Sequence, residues 1–377
     1  MDRHRIVLTG GGTGGHVYPA LSVAEKLVAD QSVEAILYIG ARGHIEESLA
    51  AERQLDFVGL SVSGLPRSLS PRLFSWPFET LAAISKAKKI LNEFRPTCVL
   101  GTGGYASAAP LAAALLSKIP IAVHEPDAHP GLVNRLFSKH ASLVSLGMEG
   151  AISRLAKGRA KIVVNGNPVR QTFVDLLQKG QASAVLGLRS ELTTIVITGG
   201  SQGARAINES LTGALPRLLE NEEPLQIIHQ AGEKNLHELK ESLPESILKH
   251  PRYCLRPYFE DMAVVYGASD LAVCRAGAMT IAELAVTGTP SIFIPYPYAA
   301  QDHQMHNARY LEKKGAALVI AQDELDSSRL ANLILSTIAE KEKLANMKAA
   351  MKSLGRPQAA NDLANQLKEL SSAFLNR

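Results

Sequence analysis

His16 closes the run Thr9-Gly10-Gly11-Gly12-Thr13-Gly14-Gly15, which follows the apolar stretch Ile6-Val7-Leu8 and opens a helical pattern. The positive end of a helix favours a neutral imidazole, and a neutral imidazole beside a glycine loop is suited to removing a proton from a sugar hydroxyl. The alternative is a ring that only caps its loop. Two further glycine turns follow apolar runs: Gly101-Thr102-Gly103-Gly104-Tyr105 after Val99-Leu100, and Thr198-Gly199-Gly200-Ser201-Gln202-Gly203-Ala204 after Ile195-Val196-Ile197. A strand that runs into glycines and then a helix presents backbone N–H groups and a partial positive charge, an arrangement suited to phosphate. The first and third turns lie half a chain apart, one phosphate-type site in each half.

Other groups complete this chemistry. In Arg275-Ala276-Gly277-Ala278-Met279-Thr280-Ile281-Ala282-Glu283, Thr280 and Glu283 share a helix face. A carboxylate there can accept both hydroxyls of a ribose. Gln304 and Asn307 also share a face, and their amides can read sugar hydroxyls, although a solvated first turn has the same composition. Gly10-x-Gly12-x-x-Gly15 matches the dinucleotide fingerprint, but the second strand ends Ile39-Gly40-Ala41-Arg42 without the acid that holds a ribose. Arg42 keeps an NADP reading open, and tight strand–helix packing is a third. His303 and His306 lack metal-ligand spacing and no D-x-D is present. A departing diphosphate is then left to backbone amides, a helix dipole and hydroxyls such as Ser201.

The elements that must position these groups alternate between strand and helix. Strands read at 6–9, 35–39, 57–60, 97–100, 121–124, 143–145 and 162–164, and again at 194–198, 225–229, 253–256, 271–274, 291–294 and 317–320. Helices read at 17–29, 80–92, 330–340 and 358–374. Such alternation predicts parallel, doubly wound α/β sheets with ligands at the carboxyl ends of strands. The turn-rich Asn165-Gly166-Asn167-Pro168 marks a domain boundary, which predicts residues 1–166 and 167–357 as two domains.

Composition excludes other classes. The 377 residues are 46% hydrophobic and 20% charged with a formal charge of +4, too small to argue for nucleic-acid binding. Three scattered cysteines, Cys98, Cys254 and Cys274, read as reduced core residues of a cytosolic protein. No signal-peptide pattern precedes the first strand. The longest apolar run, 106–116, is too short to span a bilayer and contains Pro110, so membrane contact is expected to be peripheral. One stretch fits such contact: Arg67, Arg72, Leu73, Phe74, Trp76 and Phe78 precede Lys86, Lys88 and Lys89. Aromatics beside basic residues suit an anionic bilayer surface, although a loop folding its aromatics into the core reads the same.

Together, Gly-Gly-Gly-Thr-Gly-Gly-His at 10–16, Gly-Thr-Gly-Gly-Tyr at 101–105, Gly-Gly-Ser-Gln-Gly-Ala-Arg at 199–205, Arg-x-Gly-Ala-x-Thr at 275–280 with Glu283, and Asp-His-Gln-x-x-Asn-Ala at 302–308 resemble the MurG family over essentially the whole chain. The resemblance implies a GT-B fold, two Rossmann-like domains facing each other across a cleft, with the last helix returning to the first domain. It implies an inverting, metal-independent transfer of N-acetylglucosamine (GlcNAc) from UDP-GlcNAc to the N-acetylmuramic acid (MurNAc) of lipid I, with no cofactor. It places the protein peripherally on the cytoplasmic face of the bacterial inner membrane and admits other cell-wall synthesis proteins as partners.

Carried over by position, Ser201, Gln202 and Gly203 fall at the donor diphosphate, the Phe259 backbone at uracil, and Glu283 at the ribose. Ala278, Met279, Thr280, Gln304 and Asn307 surround the donor sugar or phosphate. Thr13, Gly14, Gly15, Asn134 and Arg170 are implied as further donor contacts. Gly14, Gly15 and His16, with Gly103, Gly104 and Tyr105, are implied on the acceptor side. His16 is the expected base and Glu125 its rival. His124-Glu125-Pro126-Asp127 departs from the family's frequent His-Glu-Gln-Asn at its last two positions. Two readings compete: an epimerase of the same fold, which would need neither the aromatic–basic stretch nor an acceptor turn, and a non-enzymatic nucleotide-sugar scaffold, which would bind UDP-GlcNAc without turnover on lipid I.

Overall fold

The computed structural model describes residues 3–64, 72–155 and 158–376, with backbone alone at 72–74. Arg67 lies outside the described residues, as do the side chains of Arg72, Leu73 and Phe74. The chain divides into two compact units, residues 1–170 with 356–377, and residues 171–355.

Unit 1 is built on β1 (His4–Thr9), β2 (Val33–Ala41), β3 (Asp56–Leu60), β4 (Cys98–Gly101), β5 (Ile121–Glu125), β6 (Leu143–Leu146) and β7 (Lys161–Val163), in the order β3-β2-β1-β4-β5-β6-β7. Unit 2 holds β8 (Thr193–Thr198), β9 (Leu225–Gln230), β10 (Tyr253–Arg256), β11 (Leu271–Cys274), β12 (Ser291–Phe293) and β13 (Ala317–Val319), in the order β10-β9-β8-β11-β12-β13. Both sheets are parallel throughout. In each, the strand bearing the glycine-rich turn (β1 or β8) sits where the strand order reverses, the position at which open α/β sheets bind ligands.

The central strands β1, β4, β8 and β11 are buried on both faces, which explains their apolar runs. Ile6 and Leu8 pack with Leu21, Leu27, Tyr38 and Leu100 on one face of the first sheet, while Val7 joins Ile39, Leu91, Val99 and Val123 on the other. In unit 2, Ile195, Ile197, Leu211, Leu218, Ile227 and Ile334 form one continuous core. Each fully buried aliphatic side chain contributes roughly 1.5–3 kcal/mol.

The helix Ala359–Leu375 completes unit 1. It buries Leu363 and Leu367 against the helix Gly14–Val28. Ser371 Oγ lies 2.7 Å from His4 Nδ1 and donates to Thr97 Oγ1 at 2.5 Å. Lys368 pairs with Asp30 and holds its carboxyl well below the usual carboxylate range.

Two elements differ from the sequence reading. The helix expected from Thr80 runs as Arg72–Phe94, carrying Trp76 and Pro77 within it rather than in a loop. Proline has no N–H to give the preceding turn. Just beyond it, Thr80 Oγ1 donates to the Trp76 carbonyl at 2.8 Å. A further helix, Lys341–Ser353, is so polar that it carries little periodic signal and buries only Met347 and Met351.

Candidate active site

In unit 1 three strand ends carry the expected residues side by side, since β1, β4 and β5 are neighbours. The first two glycine turns interlock. Gly11 N donates to the Gly103 carbonyl at 3.4 Å, Thr102 N to Thr9 O at 2.9 Å, and Thr102 Oγ1 to His16 O at 2.6 Å. A Cβ on Gly104 (φ +76°) would meet Gly11 O at 2.0 Å, so only glycine permits this approach. His16 lies in the first turn of the helix Gly14–Val28, where Gly14 and Gly15 present N–H groups without intrahelical acceptors. Its Nδ1 lies 3.0 Å from the Thr102 carbonyl. A carbonyl only accepts, so Nδ1 carries the proton and Nε2 is the basic nitrogen of the neutral ring.

The remaining unit 1 residues divide between surface and support. Tyr105 is half-buried, its hydroxyl 3.4 Å from His44 Nε2. The Arg170 guanidinium lies 5.8 Å from the centre of the Tyr18 ring. Glu125, at the end of β5, is 1% exposed. Its Oε1 accepts the Asp127 N–H at 2.9 Å, and its Oε2 accepts from Gly131 N at 3.0 Å and Asn134 Nδ2 at 2.9 Å. Burial and the Asp127 charge push its pKa up to about 8 against the pull of these donors. This side chain ties the 126–131 segment and the helix Leu132–Ser138 to the end of β5. Asn134 also donates to the His124 carbonyl at 3.0 Å. His124 is buried between Ser145 Oγ (3.1 Å) and Asn167 Oδ1 (3.0 Å), and burial lowers its pKa to about 4.

The sequence reading omitted Glu46. It is fully buried, accepts Ala41 N at 3.0 Å and Gly12 N at 3.4 Å, and packs where a Gly11 side chain would stand. An acid two residues into the helix Ile45–Glu52 reads from sequence as an ordinary first-turn glutamate, so nothing marked it as the support of a glycine loop.

In unit 2 the turn after β8 leaves Ser201 and Gln202 exposed at its tip, with Gly200 (φ +89°) and Gly203 (φ +72°) in left-handed backbone. A Cβ on Gly203 would fall 1.9 Å from the Ala231 carbonyl. The helix Arg205–Leu219 starts directly after, so its first-turn N–H groups surround the same tip. Next to β8, β11 leads through Arg275 into the helix Ala278–Thr287, which carries Ala278, Met279, Thr280 and Glu283. Gln304 Oε1 accepts Ala276 N at 3.2 Å and Tyr296 N at 3.0 Å, while Asn307 Nδ2 donates to Ala276 O at 3.2 Å. Asn307 is fully buried and supports the 275–277 turn, while Gln304 is half-buried. The Phe259 N–H donates to Gln230 Oε1 at 2.9 Å. Among the described residues no group of three or more His, Cys, Asp or Glu could hold a metal ion.

Residues 6–145 match the glycosyltransferase family 28 N-terminal domain and residues 194–365 the glycosyltransferase family 28 C-terminal domain. A relative from Halothermothrix orenii, named UDP-N-acetylglucosamine--N-acetylmuramyl-(pentapeptide) pyrophosphoryl-undecaprenol N-acetylglucosamine transferase, is 41% identical over 97% of this chain and 98% of its own. One of the same name from Desulfitobacterium hafniense is 40% identical over 95% of this chain and 97% of its own. The crystal structure of Acinetobacter baumannii MurG superposes with a TM-score of 0.77 at 27% identity, covering 98% of this chain and 100% of that one.

The chain belongs to the MurG family.

The family's two-domain GT-B architecture accounts for both sheets and for a glycine turn at each strand-order reversal. The UDP-GlcNAc 2-epimerase from Neisseria meningitidis bound to UDP-GlcNAc has a TM-score of 0.69, covering 97% of this chain and 100% of that one. At 15% identity that likeness concerns the fold alone.

The helix Arg72–Phe94 carries an outward apolar pair, Phe78 (75% exposed) and Leu81 (63% exposed), three residues apart and therefore on one face. Trp76 is half-buried and donates from Nε1 to Ser63 O at 3.3 Å, so its ring is not the most exposed of the stretch. Lys88 and Lys89 are exposed on the same helix. Leu81 was missed because the basic–aromatic composition ends at Phe78; the helical spacing from Phe78 is the signal that finds it. No described helix is long and apolar enough to cross a membrane.

Proposed function

We propose that this family member moves GlcNAc from UDP-GlcNAc to the MurNAc 4-hydroxyl of lipid I, forming lipid II with inversion at the anomeric carbon. The reading rests on the near-full-length likeness to relatives bearing the transferase name. An epimerase reading has in its favour only neighbours at the level of fold.

The chain's own groups supply the steps. Unit 1 takes the acceptor: Nε2 of His16 removes the proton of the 4-hydroxyl as that oxygen attacks, and Gly103, Gly104 and Tyr105 line the acceptor side. The carbonyl of Thr102 fixes the tautomer, and Glu125 and Asn134 position the neighbouring strand end. Unit 2 takes the donor: Glu283 accepts the ribose hydroxyls and Gln304 reads the sugar. Loop amides from Ser201 to Ala204, the first turn of Arg205–Leu219 and the Ser201 hydroxyl stabilise the charge that develops on departing UDP. Labelled GlcNAc should pass from UDP-GlcNAc to a lipid I analogue, and should do so with EDTA present. Conversion of UDP-GlcNAc without acceptor, and no transfer, would refute this reading.

Two substitutions test its parts. Glu283→Ala should weaken UDP-GlcNAc binding by roughly 10- to 100-fold, the equivalent of one charged hydrogen-bonding group. Equal affinity in calorimetry would remove the ribose role. Phe78 and Leu81, with Lys88 and Lys89 behind them, would dock the protein on an anionic bilayer at the cytoplasmic face. Changing both Phe78 and Leu81 to serine should cut pelleting with phosphatidylglycerol vesicles at least about fivefold, since each apolar side chain contributes ~1.5–3 kcal/mol when buried. Undiminished pelleting would place the docking surface elsewhere.

A further inference from the structure

Gln230, the last residue of β9, is 2% exposed and joins two segments of unit 2. Its Nε2 donates to Thr198 Oγ1 at 3.1 Å and to the Gly200 carbonyl at 3.1 Å; its Oε1 accepts the Phe259 N–H at 2.9 Å. Thr198 Oγ1 also accepts the Gly200 N–H at 3.0 Å. One amide therefore spans from the glycine turn after β8 to the 257–260 segment. The backbone beyond it repeats the link: Gly232 N donates to Pro257 O at 2.9 Å, and a Gly232 Cβ would stand 2.4 Å from Gln202 O. The other buried polar side chains of β9 bond elsewhere: Gln226 Nε2 donates to Thr194 Oγ1 at 2.8 Å, and the His229 ring lies 2.8 Å from the Tyr253 hydroxyl and 3.1 Å from Asn208 Oδ1. A fully engaged buried amide at its end answers to the loops instead, because removing it strands partners on both of them.

Resting on the reading of unit 2 as the UDP half, we propose that Gln230 is a positioning residue that couples the diphosphate loop to the base-reading segment. Its carbonyl occupies the Phe259 N–H, so the Phe259 backbone meets the base with its carbonyl, an acceptor. Uracil offers a donor there, its N3–H; cytosine has none. Gln230 thereby sets the preference for uracil without touching the nucleotide, and through Nε2 it holds Gly200 in the conformation that exposes the loop amides.

Calorimetric titration with UDP and CDP, beside steady-state kinetics, separates this role from general support. Gln230→Met keeps the volume and removes all three bonds. UDP affinity should fall about tenfold or more and the UDP-over-CDP ratio should narrow, with the KM for the lipid I analogue unchanged. Gln230→Glu still accepts from Phe259 but donates to neither Thr198 nor Gly200; UDP affinity should fall while the UDP-over-CDP ratio stays that of the unaltered chain. A Met variant with the original ratio, or with the acceptor KM raised in step, overturns the proposal. If the Met variant does not fold, the Glu variant decides: lowered UDP affinity at constant ratio supports the coupling, and any other pattern overturns it. Failure of the unaltered chain to bind UDP would sink the functional reading itself. Tight UDP binding by the unaltered chain and by both variants would sink the coupling alone.

Discussion

His16→Ala should lower turnover by about 10²–10⁴, the range a positioned general base contributes, while UDP affinity and melting temperature stay near those of the unaltered chain. The expectation comes from the tautomer. With Nδ1 3.0 Å from the Thr102 carbonyl, the neutral ring has its lone pair on Nε2, in the first turn of the helix Gly14–Val28. The ring is half-buried and contributes little to the core, so its loss should register in kcat rather than in stability. Steady-state transfer from labelled UDP-GlcNAc measures the first quantity, calorimetry the other two. Unchanged turnover would remove His16 as the base.

Gly103→Ala should be nearly as damaging, although it removes no functional group. Gly103 has φ +101°, and an added Cβ would lie 2.8 Å from His16 Nδ1 and 3.0 Å from Asn134 Nδ2. The alanine is strained by its backbone and must push the imidazole off Thr102 or the amide off Glu125. Turnover should fall by about 10²-fold or more, because small displacements of a reacting group cost that much. The double variant His16→Ala/Gly103→Ala should be little worse than His16→Ala, since both remove the same positioned ring. Additive losses in that cycle would show that Gly103 acts through something else.

The central strands β1, β4 and β8 were legible because their apolar runs, buried on both faces, end in glycine turns. The ends were less so. Glu125 completes β5, whereas the reading stopped at His124, because an acid rarely ends a buried strand without partners, and its partners lie in the next loop. The aromatic–basic stretch read as open between membrane contact and a core-facing loop, and it lies on the helix Arg72–Phe94. Glycines and His16 were visible as motifs, but Glu46 and Gln230 were not. Their work is done on backbone atoms distant in sequence, which leaves no local pattern. Asn307 was legible as a member of a motif, yet its task of holding the Ala276 carbonyl emerges only from coordinates.

The return of the last twenty-two residues to unit 1 has a consequence for biosynthesis. A ribosome delivers all of residues 171–355 before it delivers Leu363, Leu367 and Lys368. The middle of the chain can close its own core during translation, while the amino-terminal part keeps one flank of β1 and β4 unsealed until those residues emerge. A chain truncated ahead of Ala359 would therefore be damaged in the half made first.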